Sequence, residues 1–143
     1  MRATINGLRI AIVALLFYWT LLFIGTHIPA NDVLSKLHAS DKVLHAAAFA
    51  GLAFLMAWAI PTDRSRIHKN TVFAAFVCVI YAAVDEILQI PVGRTADWKD
   101  FVADCVGVCV GLCTYTIARA IIIKADWNLF TTSTPIESSE GTQ

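Results

Sequence analysis

Four long apolar segments, separated by short polar connections, dominate the hydrophobic pattern of the chain. They cover about residues 8–28, 43–60, 71–90 and 101–123. Each is close to the roughly 20 residues that an α-helix needs to cross a hydrocarbon core about 30 Å thick. Lipid offers the backbone no hydrogen-bond partner, and the segments show no alternating pattern. Helices that span a membrane are therefore predicted, rather than strands.

The short connections make consecutive helices antiparallel neighbours. We therefore predict an all-α fold, an integral membrane four-helix bundle that occupies residues 1–124. Residues 125–143 are rich in Thr, Ser, Pro and Glu, and a disordered polar tail is predicted there. The first segment is longer than the roughly 7–15 residues of a signal-peptide core, and no clear small-x-small site follows it. We expect it to be retained as the first helix.

Basic residues are divided unevenly between the two sides of the predicted bundle. The side with both termini and the 61–70 connection carries seven of the eleven basic residues, and the other side carries four. Lys and Arg accumulate in cytoplasmic segments. The sequence therefore predicts a multi-pass protein of the inner (plasma) membrane whose N- and C-termini are cytoplasmic.

Composition narrows the range of functions. The chain is 57% hydrophobic and 15% charged, with a net charge of zero, whereas soluble domains average roughly 45–50% apolar and about 25% charged residues. The lipid bilayer is the expected partner, and nucleic acid is not, because binding its phosphates requires a basic surface. Cys105, Cys109 and Cys113 recur every fourth residue along one helical stripe, which does not suit a tetrahedral metal site. We assign the cysteines no chemistry.

Acidic residues are concentrated where the third segment ends and the fourth begins. Five of the eleven acidic residues lie between positions 85 and 104. Those of the fourth segment share one helical arc of about 80° with two glycines, at 107 and 111, which allow a neighbouring helix to approach closely. Antiparallel packing brings the start of the second segment to the same face. Charged groups within a bilayer cost roughly 2.5–3.5 kcal/mol each and usually mark a functional or paired site.

This convergence predicts a polar site at the extracytoplasmic face. Nine residues make up the candidate site: Asp85, Glu86 and His45 as catalytic residues, Arg94, Gln89 and Asp41 as substrate-binding residues, and Asp97, Asp100 and Asp104 as metal ligands.

Three interpretations of the acidic cluster remain open at this point. A divalent cation bound by carboxylate oxygens would suit a phosphate-bearing substrate, with Arg94 contacting the phosphate. Protons shared with His45 would instead form a relay. Internal pairing with Arg94 and Lys42 would make the cluster purely structural.

These interpretations correspond to different functions. The leading hypothesis is a cell-envelope protein that binds, and in one version modifies, a phosphate-bearing or lipid-linked envelope component, with a divalent cation as the candidate cofactor. One alternative is a small proton- or cation-coupled transporter subunit. The other is a structural membrane protein whose acidic residues are paired.

Several short motifs in this region resemble those of the VanZ-like family over roughly residues 8–123. They are D-K-x-x-H at Asp41–His45, D-E-x-x-Q at Asp85–Gln89, G-R at Gly93–Arg94, D-x-x-D at Asp97–Asp100, and the run Asp104–Gly107 followed by Gly111. The family usually has Asn where this chain has Asp104. The resemblance implies a small polytopic membrane protein. It also brings an association with resistance to the glycopeptide teicoplanin, and hence a glycopeptide or a lipid-linked cell-envelope precursor as a candidate partner.

Overall fold

The structure is a computed structural model that describes residues 5–27, 38–62, 64–93 and 97–132 of the 143-residue chain. Four α-helices follow one another: α1 (Ile5–His27), α2 (His38–Ala59), α3 (Ile67–Gln89) and α4 (Trp98–Thr132). Short 3-10 helices, Arg64–Arg66 and Ile90–Val92, lie before and after α3. The described residues contain no strand, which confirms the predicted all-α bundle.

Each helix is long and apolar enough to cross a membrane. The qualifying spans are Ile10–His27, Lys42–Ala59, Ile67–Gln89 and Trp98–Ala125. Large apolar side chains cover the outside of the bundle, and Phe17, Phe76 and Ile121 are each more than 60% exposed. An outer surface of this kind is suited to contact with lipid tails rather than with water.

Helix α2 packs against each of the other three helices, and its most extensive contact is with α4. Its side chains Phe49, Leu52 and Ala53 are fully buried in the core. Two glycines of α4 lie directly against the α2 backbone. A methyl group added to Gly107 would overlap the backbone carbonyl of Ala46, and one added to Gly111 would overlap that of Ala50. The predicted close approach of a neighbouring helix is therefore confirmed at both glycines.

The boundaries of α4 differ from the prediction at both ends. The helix begins at Trp98 rather than at residue 101, because Asp97 accepts hydrogen bonds from the backbone of its first turn. It continues to Thr132, so residues 125–132, predicted as part of the disordered tail, are helical. No glycine or proline interrupts this stretch, which still contains apolar residues. The rest of the predicted tail, residues 133–143, lies outside the described residues.

Candidate functional site

Polar side chains are buried together at one end of the bundle, which we call the site end. It is formed by the last turn of α1, the first turns of α2, the last two turns of α3 and the first turns of α4. Asp85 and Asp104 are completely buried there, and the other buried polar residues are His45, Glu86, Gln89 and Asp100. Hydrogen bonds, ion pairs and close contacts, within and between helices, group these residues into three clusters.

The first cluster, the His45 cluster, consists of His45 on α2, Glu86 on α3 and Asp104 on α4. Each residue offers one ligand atom, and the three atoms all lie within 4.8 Å of one another. Nδ1 of His45 lies 3.1 Å from Oδ1 of Asp104. Two carboxylate oxygens, Oε1 of Glu86 and Oδ2 of Asp104, are buried with no hydrogen-bond partner among the described residues. The cluster therefore has the donor atoms and the unmet acceptors of a cation site.

The second cluster, the Asp85 cluster, surrounds the carboxylate of Asp85. Thr26 and Tyr81 donate hydroxyl hydrogen bonds to Oδ1 over 3.0 and 3.2 Å, and the side-chain amide of Gln89 donates to Oδ2 over 3.1 Å. Nδ1 of His27 lies 3.9 Å from Oδ1. Three neutral donors therefore hold this carboxylate inside the protein, next to a histidine.

Aromatic packing fixes the rings of the Asp85 cluster. Tyr81 meets Trp19 edge-on at a centroid distance of 5.0 Å, and its other neighbour, Phe49, stacks at 5.7 Å. His27 stacks on Phe23 at 4.1 Å, one helical turn earlier on α1. These contacts hold the phenol hydroxyl and the imidazole in place at the edge of the core.

The third cluster contains Lys42, Asp97 and Asp100. The ammonium of Lys42 lies 2.7 Å from Oδ1 of Asp100 and 3.6 Å from Oδ2 of Asp97. Oδ1 of Asp97 accepts the backbone N–H of Lys99 and so caps α4. This hydrogen bond, reinforced by the charge of Lys42, holds the pKa of the exposed Asp97 carboxyl below its usual range. Lys42 therefore pairs with both acids at the start of α4, and its single positive charge offsets one of their two negative charges.

Glu86 connects the first and third clusters. Its Oε2 atom accepts the backbone N–H of Asp97 over 3.0 Å, while its Oε1 atom is the oxygen without a described partner. One carboxylate thus anchors the start of α4 with one oxygen, while its other oxygen has no described hydrogen-bond partner.

Comparison with protein families assigns the chain to a known family. Residues 9–119 match the family model described as VanZ/LLP1. The chain belongs to this family. The matched region includes every residue of the three clusters, so the site end lies within the family domain. Comparison with curated proteins and with solved structures gave no match. The family assignment and the four apolar helices together establish a multi-pass, VanZ-like membrane protein.

The structure brings most of the predicted site residues of this VanZ-family protein together, in a different grouping from the predicted one. Among the predicted metal ligands, Asp104 lies with His45 and Glu86, whereas Asp97 and Asp100 contact Lys42. Gln89 contacts Asp85 rather than an open surface. The side chain of Asp41 and the whole of Arg94 lie outside the described residues.

Three residues of the Asp85 cluster were not predicted from the sequence: Thr26, His27 and Tyr81. Tyr81 lies four positions before Asp85, a spacing at which side chains on one helix meet, so the sequence contained a signal for it. Thr26 and His27 end the first apolar segment, and antiparallel packing places that end beside the acidic residues. Their contact with Asp85 depends on how α1 is rotated about its axis.

Proposed function

We propose that this VanZ-family protein binds a divalent cation at the His45 cluster and, through the cation, the phosphate of a lipid-linked cell-envelope component. One observation carries the proposal: two buried carboxylate oxygens in the cluster have no described partner. A buried acceptor without a hydrogen bond costs about 1–3 kcal/mol. Neighbouring carboxylates also repel each other unless a cation or a proton compensates them.

The donor set of the cluster favours particular metals. Mg²⁺ and Ca²⁺ prefer oxygen ligands alone, whereas a histidine nitrogen with two carboxylates suits Mn²⁺ or Zn²⁺. Three protein ligands would leave coordination positions for a phosphate oxygen, and the bound metal would neutralise the charge of that phosphate. Because the metal would replace a proton shared by His45 and Asp104, its binding should release protons.

The position of the cluster is suited to a lipid-linked substrate. The clusters lie near the ends of helices that are long and apolar enough to span a membrane. In a bilayer, this end of the bundle would lie close to the lipid headgroups. The distribution of basic residues predicts that this end is extracytoplasmic, so a phosphate-bearing envelope precursor would be within reach. Arg94, the predicted phosphate ligand, belongs to the connection between α3 and α4. A link to teicoplanin resistance would act through such a precursor.

The two alternative functions have less support. A proton-coupled transporter needs polar groups along its length, but the described side chains buried in the middle of the bundle are apolar, including Phe49, Leu52 and Val108. Purely structural pairing accounts for Lys42 with its two aspartates. It does not account for the unpartnered oxygens of the His45 cluster.

Metal titration tests the proposal. The protein is purified in detergent, stripped with a chelator and titrated with Mn²⁺, Zn²⁺, Mg²⁺ or Ca²⁺, while the thermal midpoint and the bound metal are measured. A ligand at 100 times its Kd stabilises the folded state by about 2.7 kcal/mol. We expect Mn²⁺ or Zn²⁺ to raise the midpoint, and inorganic phosphate to raise it further.

Variants identify the ligands. Glu86→Gln and Asp104→Asn should abolish the shift, whereas the matched control Asp100→Asn, which changes a lysine-bound acid, should retain it. Loss of the shift in Asp100→Asn alone would assign the metal to the aspartates of α4 instead. No shift with any of the four metals would refute the proposal.

The face of the membrane requires a separate test. Alkaline phosphatase is active only outside the cytoplasm, so fusions after Pro61 and at Thr142 report on the end opposite the site. We expect both fusions to be inactive. Strong activity at either position would put the site end in the cytoplasm.

A further inference from the structure

The last side chain of α1, His27, carries a buried nitrogen that has no hydrogen-bond partner in the described structure. Its Nδ1 atom lies 2.8 Å from the backbone carbonyl of Phe23, and a carbonyl oxygen only accepts hydrogen bonds. Nδ1 therefore holds the proton, and Nε2 of the neutral ring holds a lone pair. This Nε2 atom is buried and has no described partner. Its unmet need is for a hydrogen-bond donor.

The surroundings of His27 suit a residue that takes up a proton. Once Nε2 accepts a proton the ring becomes a cation, and the carboxylate of Asp85 lies 3.9 Å from its other nitrogen. Asp85 is itself fixed by Thr26, Tyr81 and Gln89, and stacking on Phe23 fixes the plane of the imidazole. A histidine oriented beside a buried carboxylate, with a second nitrogen that can still accept a proton, is the arrangement that general bases use.

His27 and the candidate metal site are linked through two consecutive residues of α3. Asp85 and Glu86 are consecutive residues of α3, so their side chains leave the helix about 100° apart. Asp85 contacts the end of α1, and Glu86 faces the ligands on α2 and α4. The two clusters therefore lie at the same level of the bundle, on adjoining sides of one helix. A water molecule between the two clusters would supply the hydrogen-bond donor that Nε2 lacks.

We propose that His27 is the proton acceptor of a hydrolytic site, and that this protein removes a terminal phosphate monoester from a lipid. This inference rests on the proposed function, because the phosphate would be held at the His45 cluster. The oxygen of a water molecule forms a bond to phosphorus, and the P–O bond to the lipid breaks. The water proton passes to Nε2 of His27, and the ring then gives it to the departing lipid oxygen. The products are inorganic phosphate and a lipid alcohol.

Phosphate release from defined lipids tests this inference. The full chain in detergent micelles with Mn²⁺ is given phosphatidic acid or farnesyl phosphate, and inorganic phosphate is measured. Losing a general base typically lowers a rate by about 100-fold or more. We expect that loss of kcat in His27→Gln and in His27→Asn, with an unchanged KM and an unchanged metal-induced rise of the thermal midpoint. His68→Gln, the same change at an exposed histidine in the first turn of α3, should leave kcat unaltered.

The outcomes separate this inference from the proposal on which it rests. A wild-type protein that binds metal but releases phosphate from neither lipid overturns the hydrolytic site and leaves the metal site standing. An unchanged kcat in both His27 variants, or loss of the metal shift together with activity, removes His27 from the role of base. If the wild-type protein binds no metal, both ideas fail together.

Discussion

The two ends of the bundle both bury polar side chains, and they differ in which hydrogen-bonding atoms are left without a partner. At the end opposite the site, the Asn70 end, the amide of Asn70 donates to the carbonyl of Ala57 over 2.8 Å and to the hydroxyl of Tyr115 over 3.0 Å. Arg119 donates to the carbonyl of Thr62. The unpartnered atoms described there are one acceptor, Oδ1 of Asn70, and one donor, Nε of Arg119.

At the site end, the unpartnered buried atoms are acceptors throughout: Oε1 of Glu86, Oδ2 of Asp104 and, in the neutral ring, Nε2 of His27. At the Asn70 end the unmet atoms are one donor and one acceptor, and its hydrogen bonds hold neighbouring helices together. A region whose unmet atoms are all acceptors demands a cation, a proton or a donor from outside. A candidate site is therefore distinguished from a structural contact between helices by the type of its unpartnered atoms, more than by the burial of polar groups itself.

The largest change in stability is expected when the hydrogen bonds of Asn70 are removed. Asn70→Leu deletes both donated hydrogen bonds and strands their acceptors in the core, which should lower the free energy of unfolding by about 2 kcal/mol. Denaturation followed by tryptophan fluorescence measures this, because the ring of Trp58 lies 5.9 Å from that of Tyr115. Thr71→Val is the matched control, since the Thr71 hydroxyl bonds only to its own helix among the described contacts. Equal stability of the two variants would remove the distinction between the ends.

At the site end, a smaller change in the free energy of unfolding is expected, and it is an increase. Asp104→Asn keeps an oxygen that can accept from His45, removes a buried negative charge and adds an N–H donor close to Glu86. In chelator, this variant should gain about 1 kcal/mol of stability. Thermal denaturation without metal measures the gain. A loss of stability as large as that of Asn70→Leu would show that Asp104 mainly holds the helices together.

The smallest effect is expected at the exposed cap of α4. The pKa of Asp97 is lowered in the folded state, so its charge stabilises the protein above the unfolded-state pKa and ceases to do so as the pH falls through the folded-state pKa. Asp97→Asn should therefore lower the thermal midpoint slightly at neutral pH, and the difference should vanish in strong acid. Midpoints measured across the acid range test this. A difference that persists at the lowest pH would assign the effect to the shape of the cap rather than to its charge.

Much of the fold could be predicted because length and hydrophobicity alone determine which segments can cross a membrane. The same reasoning, with short connections, predicted that Asp85, Glu86, His45 and Asp104 would meet at one end. The helical extension to Thr132 was missed, because polar composition was interpreted as disorder although nothing in residues 125–132 ends a helix.

The internal grouping of the site was harder to predict, for two physical reasons. Lys42 has a long, flexible side chain that reaches two acids at once, and spacing along the sequence does not reveal which carboxylates it will neutralise. The contact of Thr26 with Asp85 depends on the rotation of α1 about its axis. That helix has apolar side chains on all sides, so its sequence marks no single inward face.

The contact of Gly107 and Gly111 with the backbone of α2 has a mechanical consequence. The backbones of α2 and α4 are in direct contact at these glycines. Sliding or rotating one helix against the other would push a carbonyl oxygen into the opposite backbone, so α2 and α4 move as one rigid pair. His45 and Asp104 both belong to this rigid pair, and each lies within one turn of the contact between Ala46 and Gly107. Glu86 lies on α3 and His27 lies on α1, and neither helix has such a glycine-to-backbone contact in the described structure. If the proposed site admits a lipid headgroup, α1 and α3 would therefore have to move relative to the fixed pair of α2 and α4.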